Sequence, residues 1–313
     1  MKWSVCFFIF FSVVSFSLHA QTHHISEIQF KGLKHTKSAF ITQFLETKKG
    51  EALDSVQIQS DIIRLKQLSS ISNVTYEVAQ LPNKQYKLTF NFEENFTLIP
   101  LFNYWTTITT IAYKIGGYEY NLFGKNITFG GFYQYNGQNT FGLNFNAPYL
   151  FSNKWGLDFN FLNWKSEEPL YIGDQSTIYL YQNSSYELLG SYQLNFKNRI
   201  QLGLSLFSEH YKATKAVTSL NLPNEVETNK QLIKLIYTHQ NLDYYYFYIE
   251  GFKSVFNGQF VTANNTAKNN FFFRLERFFI LQESGSQRQL GKPFAYRIVH
   301  QQRESICTIF TRQ

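Results

Sequence analysis

Two hydrophobic periods follow one another along this chain of 313 residues. Between residues 24 and 94, short strand-like runs enclose two segments with helical spacing. From about Phe96 onward, apolar and polar residues alternate through most of the chain. A period near 3.6 is typical of a helix that buries one face, and a period of two is typical of a strand. The pattern therefore predicts a small mixed domain followed by a larger strand-rich region.

The small region predicts the order strand, helix, helix, strand, strand. Residues 25–32 read as a strand that ends at a glycine turn, and Thr36 is expected to cap a first helix ending at Lys48-Lys49-Gly50. Asp54 is expected to cap the second helix. The apolar stripes of the two helices are Phe40, Ile41, Phe44 and Leu45, and Ile58, Ile62, Leu65 and Leu68. Two strands joined by a turn at residues 81–84 complete the domain.

The larger region contains roughly ten candidate strands with one apolar and one polar face. The clearest apolar faces are Ile127, Phe129, Gly131, Tyr133 and Tyr135, and Phe141, Leu143, Phe145, Ala147 and Tyr149. The opposite faces carry Asn, Gln, Ser and Thr. A membrane barrel requires this alternation, with lipid outside and water or protein inside, but a soluble β-sandwich shows it too.

Composition and the first residues favour the barrel. Aromatic residues make up 19% of the chain and charged residues only 16%. Lys2 precedes an apolar run over residues 5–16, which is shorter than the roughly 20 apolar residues of a spanning helix. We therefore expect an export signal over residues 1–20, cleaved between Ala20 and Gln21. Its removal would leave one of the two cysteines, so no internal disulfide is expected. The net charge of +7 is scattered along the chain, so no nucleic-acid partner is expected.

The small region resembles a POTRA domain, the polypeptide-transport module of the BamA/TamA family. The resemblance rests on Gly32, Thr36, Gly50-Glu51, Asp61, Leu65, Leu68 and Val74, and it departs from the family pattern at Ile71, where an aromatic is more common. It implies a periplasmic domain that touches client chains or partner subunits, with its second strand at a sheet edge. The predicted partner-binding segment is therefore Val74, Thr75, Tyr76, Glu77 and Val78. The alternative is that this strand only packs.

The resemblance continues into the strand-rich region. Residues 117–126, GYEYNLFGKN, are similar to a turn between early barrel strands of the family, and residues 147–151, APYLF, to the end of a following strand. The implied fold class is an α+β POTRA domain (β-α-α-β-β) followed by an antiparallel transmembrane β-barrel of the cell outer membrane. The corresponding domains are residues 24–94 for the POTRA-like domain and 96–279 for the barrel strands.

The last segment, residues 280–313, is an atypical tail. It is rich in Gln and Arg and shows no sustained alternation, and no Arg-Gly pair of the kind found in the family's inward-folded loop occurs in the chain. We therefore expect an incomplete barrel, through a reading frame lost near residues 275–285 or a truncated gene.

No pattern in the chain favours an enzyme, a cofactor or a metal site. No nucleophile elbow, P-loop, HExxH or paired CxxC motif occurs. His23 and His24 are expected to be solvated, and the adjacent pairs Glu93-Glu94 and Glu167-Glu168 are expected to be surface carboxylates, because neighbours on a strand point to opposite faces.

Three functions remain open at this stage. The first is a non-enzymatic assembly or translocation factor, whose periplasmic domain engages unfolded outer-membrane or secreted clients and whose barrel inserts them. Its partners would be outer-membrane lipid, such clients, and periplasmic or lipoprotein subunits. The second is a passive outer-membrane channel or structural barrel. The third is a non-functional fragment of an assembly factor.

Overall fold

The structure is a computed structural model of the whole chain. It describes residues 24–82, 85–107, 110–172, 175–214, 224–244, 249–263, 270–280 and 300–304. The expected signal segment with its cleavage site at Ala20 and Gln21 lies outside the described residues, as do His23 and most of the tail. No helix in the described ranges is long and apolar enough to cross a bilayer.

The first domain has the predicted element order. Its elements are β1 (Ile25–Lys31), α1 (Ser38–Thr42), α2 (Ser55–Leu65), β2 (Ile71–Leu81) and β3 (Gln85–Glu94). The sheet order is β1-β3-β2, with β1 parallel and β2 antiparallel to the central strand.

A single apolar core holds this domain together. It contains both predicted helical stripes together with Ile25, Ile71, Val74, Leu88, Phe90 and Phe92. Burying each large aliphatic or aromatic side chain contributes about 1.5–3 kcal/mol. The predicted cap of α2 is confirmed, because the Asp54 carboxylate accepts the amide hydrogens of Val56 at 2.8 Å and Gln57 at 3.4 Å.

The prediction for the first helix is wrong at both ends. The helix ends at Thr42, and its N-cap is Lys37, which makes no side-chain capping bond. The chain turns away early because the buried Asp61 carboxylate accepts the amide hydrogens of Glu46 and Thr47, each at 2.9 Å. Those amides would otherwise continue the helix.

The second region is one antiparallel sheet in which every strand pairs with its neighbours along the chain. Its strands are β4 (Leu98–Thr106), β5 (Ile111–Leu122), β6 (Ile127–Tyr135), β7 (Asn139–Ala147), β8 (Trp155–Ile172), β9 (Gln175–Asn195), β10 (Asn198–Ala213), β11 (Glu225–Tyr244), β12 (Ile249–Ala263), β13 (Asn270–Ile280) and β14 (His300–Glu304). Strand β14 lies within the predicted tail, where the sequence pattern does not reveal it. Within the described residues β4 and β14 are not paired with each other, so the sheet is open.

The two faces of the sheet differ in chemistry as predicted. Exposed apolar side chains line one face, and in the middle of the sheet Leu188, Leu204 and Ile233 lie side by side on three adjacent strands. The other face buries polar groups, including Thr140, Asp158, Ser191 and Ser205. We call these the outer and inner faces.

Candidate functional site

The predicted partner-binding segment lies in the edge strand β2. Among the described residues β2 pairs only with β3. Val74 is buried and Tyr76 packs partly against the core, whereas Thr75, Glu77 and Val78 are exposed. The second half of the strand therefore extends clear of the core, with one edge free of strand pairing in the described part of the domain. Partner binding at this edge stays a prediction.

The opposite edge of the small sheet is partly covered. The segment before α2 runs alongside the start of β1, where the Ile25 amide donates to the Glu51 carbonyl at 2.9 Å and the Gly50 amide to the Ile25 carbonyl at 2.7 Å. His24 also forms a β-bridge with Ala52. Since an edge strand recruits another strand through unpaired backbone groups, β2 is the better acceptor of the two.

A polar contact joins the small domain to the large sheet at the turn between β5 and β6. The Asn121 side-chain amide donates to the Thr36 hydroxyl at 3.0 Å. The Asn126 side-chain carbonyl accepts from the Ser69 hydroxyl at 2.7 Å and from the Ser70 amide at 3.3 Å. Both asparagines are buried, so the bonds are shielded from water. Thr36 thus serves the junction and does not cap a helix.

Gly124 lets the same turn approach the small domain closely. Its φ is +69°, and its carbonyl accepts the Lys37 amide at 3.0 Å. A Cβ at this position would lie 2.2 Å from the His35 carbonyl oxygen. Only glycine combines this backbone conformation with this approach.

Glu94 anchors the loop that reaches this turn. Its carboxylate accepts the amide hydrogens of His35 at 2.9 Å and Thr36 at 2.8 Å, and its side chain is only 6% exposed. Burial by itself would raise the pKa of Glu94, but the backbone hydrogen bonds from His35 and Thr36 hold it below the usual value. The expectation of a surface carboxylate is therefore wrong for Glu94, although the neighbouring Glu93 is exposed.

A second contact between the two regions is aromatic. The ring of Tyr149, in the connection between β7 and β8, meets Phe44 edge-on at 4.8 Å and lies 6.3 Å from Phe40. In the next connection on this side, the Phe196 ring lies 5.5 Å from the Arg64 guanidinium. Rings and cations at these distances attract one another. The small domain is therefore bound to the sheet at two places, the turn between β5 and β6 and this aromatic contact.

Charged groups on the inner face bind side chains of other strands in the sheet. The contacts are Glu187 with Lys234, Glu209 with Lys230, and Asp158 with the side-chain amides of Asn146 and Gln201. These contacts link β7 to β11 through side chains as well as through the backbone ladder.

A polar cavity opens where the inner face meets the small domain. Its volume is about 380 Å³, and Ser69 and Asn126 of the junction contribute to its wall. Three cationic side chains, Lys197, Arg199 and Lys253, also line it. The mouth of the sheet is thus polar and basic on the side of the soluble domain.

Comparison with known proteins identifies the small domain. Residues 23–95 match the family model for the POTRA domain, described as a surface antigen variable number repeat. None of the curated proteins matches the chain in sequence.

Solved structures share the fold of most of this chain, beyond the small domain. BamA from Haemophilus ducreyi lacking POTRA domains 1–3 superposes with a TM-score of 0.55 at 15% identity, over 83% of this chain and 52% of that one. CdiB from Acinetobacter baumannii superposes with a TM-score of 0.50 at 11% identity, over 84% of this chain and 50% of that one. This chain thus spans about half the length of each.

In its fold the chain resembles the BamA structure, with a POTRA domain followed by part of a β-barrel. The predicted fold class is confirmed, including the open sheet. Within the described residues, no three side chains of His, Cys, Asp or Glu lie close enough together to hold a metal ion. Sequence reasoning missed the junction, although it singled out residues 117–126 as a family-like turn.

Proposed function

We propose that this chain acts in assembly or translocation of proteins at the outer membrane, without covalent chemistry. The POTRA domain receives an unfolded client by strand addition at β2, in the periplasm. The barrel sheet then lies in the outer membrane and guides the client's strands. The observation that carries the proposal is the open edge of β2 in a domain fixed beside the mouth of the sheet.

The edge of β2 suits an extended client of varied sequence. Strand addition draws its affinity from backbone hydrogen bonds, so it tolerates many side chains. The exposed Val78 and the half-buried Tyr76 on alternate positions add an apolar strip for the client's own alternating residues. An outer-membrane barrel strand has that alternation.

The junction supports delivery because it fixes where the edge lies. Asn121, Gly124 and Asn126 lie where β5 connects to β6, and all three bind the loops of the POTRA domain. A client strand held on β2 is therefore kept close to the sheet, which raises its effective concentration there.

Site-directed crosslinking tests the proposal. The full chain with Cys6→Ser, Cys307→Ser and Thr75→Cys is reconstituted in phospholipid vesicles. It is mixed with a urea-unfolded outer-membrane barrel protein carrying single cysteines along one strand. We expect disulfide adducts at alternate client positions. The matched control is Glu27→Cys on β1, which we expect to give few adducts. Equal yields from the two edges, or none from Thr75→Cys, would contradict strand addition at β2.

A passive channel is the alternative, and the inner face argues against it. The acidic side chains Glu187 and Glu209 are paired with Lys234 and Lys230 of β11. A selective ion pathway uses charges that are available to the ion. In planar bilayers we therefore expect no cation-selective conductance from the reconstituted chain.

A further inference from the structure

The connections at the domain side of the sheet carry exposed phenylalanines. In an antiparallel meander, alternate connections lie at the same end, so β3–β4, β5–β6 and β7–β8 are joined on the POTRA side. Each of these three connections contains one exposed phenylalanine. Phe96 is 78% exposed, Phe123 is 70% exposed and Phe151 is 73% exposed.

The soluble domain does not account for these rings. Tyr149 and Phe196, from the same set of connections, turn toward the domain and contact Phe44 and Arg64. Phe123 does not, although it lies in the very turn that binds the domain. It also has a φ of +60°, which a bulky side chain rarely adopts. The backbone of this turn therefore binds the POTRA domain while the ring extends away from the protein.

The connection of Phe151 continues the outer face of the sheet. The Phe151 amide donates to the Trp155 carbonyl at 3.3 Å, and Trp155 is an exposed outer-face residue whose ring lies 4.5 Å from that of Tyr192. At the opposite end of the sheet the connection between β6 and β7 is the polar segment Asn136-Gly137-Gln138. The apolar surface thus extends past the strand ends on the domain side.

Cations accompany the rings. Lys125 is exposed two residues after Phe123, and Lys154 is exposed three residues after Phe151. Neither connection, residues 123–126 or 148–154, contains an acidic residue. An aromatic ring beside a lysine suits the boundary between acyl chains and anionic phosphates, where rings enter the lipid and ammonium groups stay at the surface.

We propose that Phe96, Phe123 and Phe151, with Lys125 and Lys154, form a lipid-binding rim that inserts into the adjacent leaflet of a phospholipid bilayer. Since the turn of Phe123 also binds the POTRA domain, the rim fixes that domain against the membrane surface. The inference rests on the proposed location of the sheet in a membrane.

Nitroxide labels test this rim in the full chain with Cys6→Ser and Cys307→Ser, reconstituted in vesicles of phosphatidylcholine and phosphatidylglycerol. Labels are placed singly at Phe123→Cys and Phe151→Cys. The water control is Val56→Cys, an equally exposed apolar position on the POTRA domain, and the lipid control is Leu204→Cys on the outer face. We expect the ratio of oxygen to nickel-chelate collisions to be several-fold higher at 123 and 151 than at 56.

The controls separate the possible failures. A water-like ratio at 123 and 151 with a lipid-like ratio at 204 would overturn the rim and leave the membrane sheet standing. A water-like ratio at 204 would overturn both. Low collision rates for both reagents at 123 and 151 would indicate a protein contact and overturn the rim.

The lysines are tested by lipid charge. We expect the label at 151 to lie deeper when phosphatidylglycerol is present than in phosphatidylcholine alone. Lys154→Gln in the same labelled chain should remove that difference. An unchanged depth between the two lipid mixtures would overturn the role of the cations.

Discussion

The POTRA domain and the barrel sheet use hydrophobic residues in opposite ways. In the domain the large apolar side chains meet in a shared core, where Leu65, Leu88 and Phe90 are fully buried. In the sheet the regularly spaced apolar residues, such as Leu188 and Leu204, are exposed on the outer face. The buried positions of the sheet include polar side chains such as Thr140, Asp158 and Ser191.

The proposed location of the sheet in a membrane accounts for this inversion. A soluble domain is stabilised by removing apolar surface from water. A sheet surrounded by lipid gains nothing from hiding apolar side chains, and must instead satisfy its polar groups internally. The inner-face contacts of Glu187 and Asp158 with side chains of other strands meet that requirement.

The largest expected effect is the loss of a core side chain from the domain. Leu65→Ala should destabilise the POTRA domain by about 2–5 kcal/mol, because it leaves a cavity among closely packed side chains. Leu204→Ala removes the same atoms from the outer face, where lipid can fill the space, so its effect should be much smaller. Pulse proteolysis across a urea series measures both. Similar losses would mean that the outer face is not in contact with a fluid apolar solvent.

Introducing an arginine at one exposed position in each region tests the same contrast. Leu204→Arg should destabilise the folded sheet in vesicles by about 2–4 kcal/mol, because arginine is costly on the lipid face near the bilayer midplane. Val56→Arg on the domain should change stability by less than about 0.5 kcal/mol. The urea dependence of folding into vesicles gives the first value, and domain unfolding the second. A harmless Leu204→Arg would contradict the assignment of the outer face.

Local signals in the sequence predicted the parts of the fold that local contacts determine. The cap and stripe of α2 lie within a few residues of one another, and the alternation of each strand is read along one segment. The first helix was mispredicted because the buried Asp61 binds amides 14 and 15 residues away. The partners Thr36 and Asn121 are 85 residues apart, so only the folded chain reveals the junction. The exposure of β2 was likewise predicted by resemblance and not from its own residues.

Removing the charge of Glu94 should lower the stability by a smaller amount. The loss arises in the loop by which the POTRA domain contacts the sheet. Glu94→Gln weakens the bonds to the His35 and Thr36 amides, and we expect a loss of about 1–3 kcal/mol at neutral pH. Because the pKa of Glu94 is lowered in the folded protein, its stabilisation is present above the usual carboxyl range and is lost as the pH falls through the lowered value. Thermal unfolding as a function of pH measures this, and the wild type should approach the variant in acid. The exposed Glu93→Gln should show no comparable loss.

The smallest substitution adds one methyl group and tests whether the POTRA domain is held rigidly against the sheet. Gly124→Ala and Gly137→Ala both place a Cβ at a positive φ, of +69° and +94°, so they share a backbone strain of about 1–2 kcal/mol. They differ in surroundings, because the new Cβ at 124 meets the His35 carbonyl whereas at 137 the nearest atom is 3.9 Å away. Only Gly124→Ala should therefore separate the POTRA domain from the sheet.

The separation is measured as the distance distribution between nitroxides at Glu77→Cys on β2 and Leu143→Cys on β7, in a chain with Cys6→Ser and Cys307→Ser. We expect Gly124→Ala to broaden this distribution and to lower the crosslinking yield between β2 and a client entering the barrel, while Gly137→Ala leaves both unchanged. If Gly124→Ala leaves the distances narrow, the aromatic contact of Tyr149 with Phe44 suffices to orient the domain. In that case the early turn is a neighbour of the domain and not the element that holds it, and the coupling between client edge and barrel passes through the second contact alone.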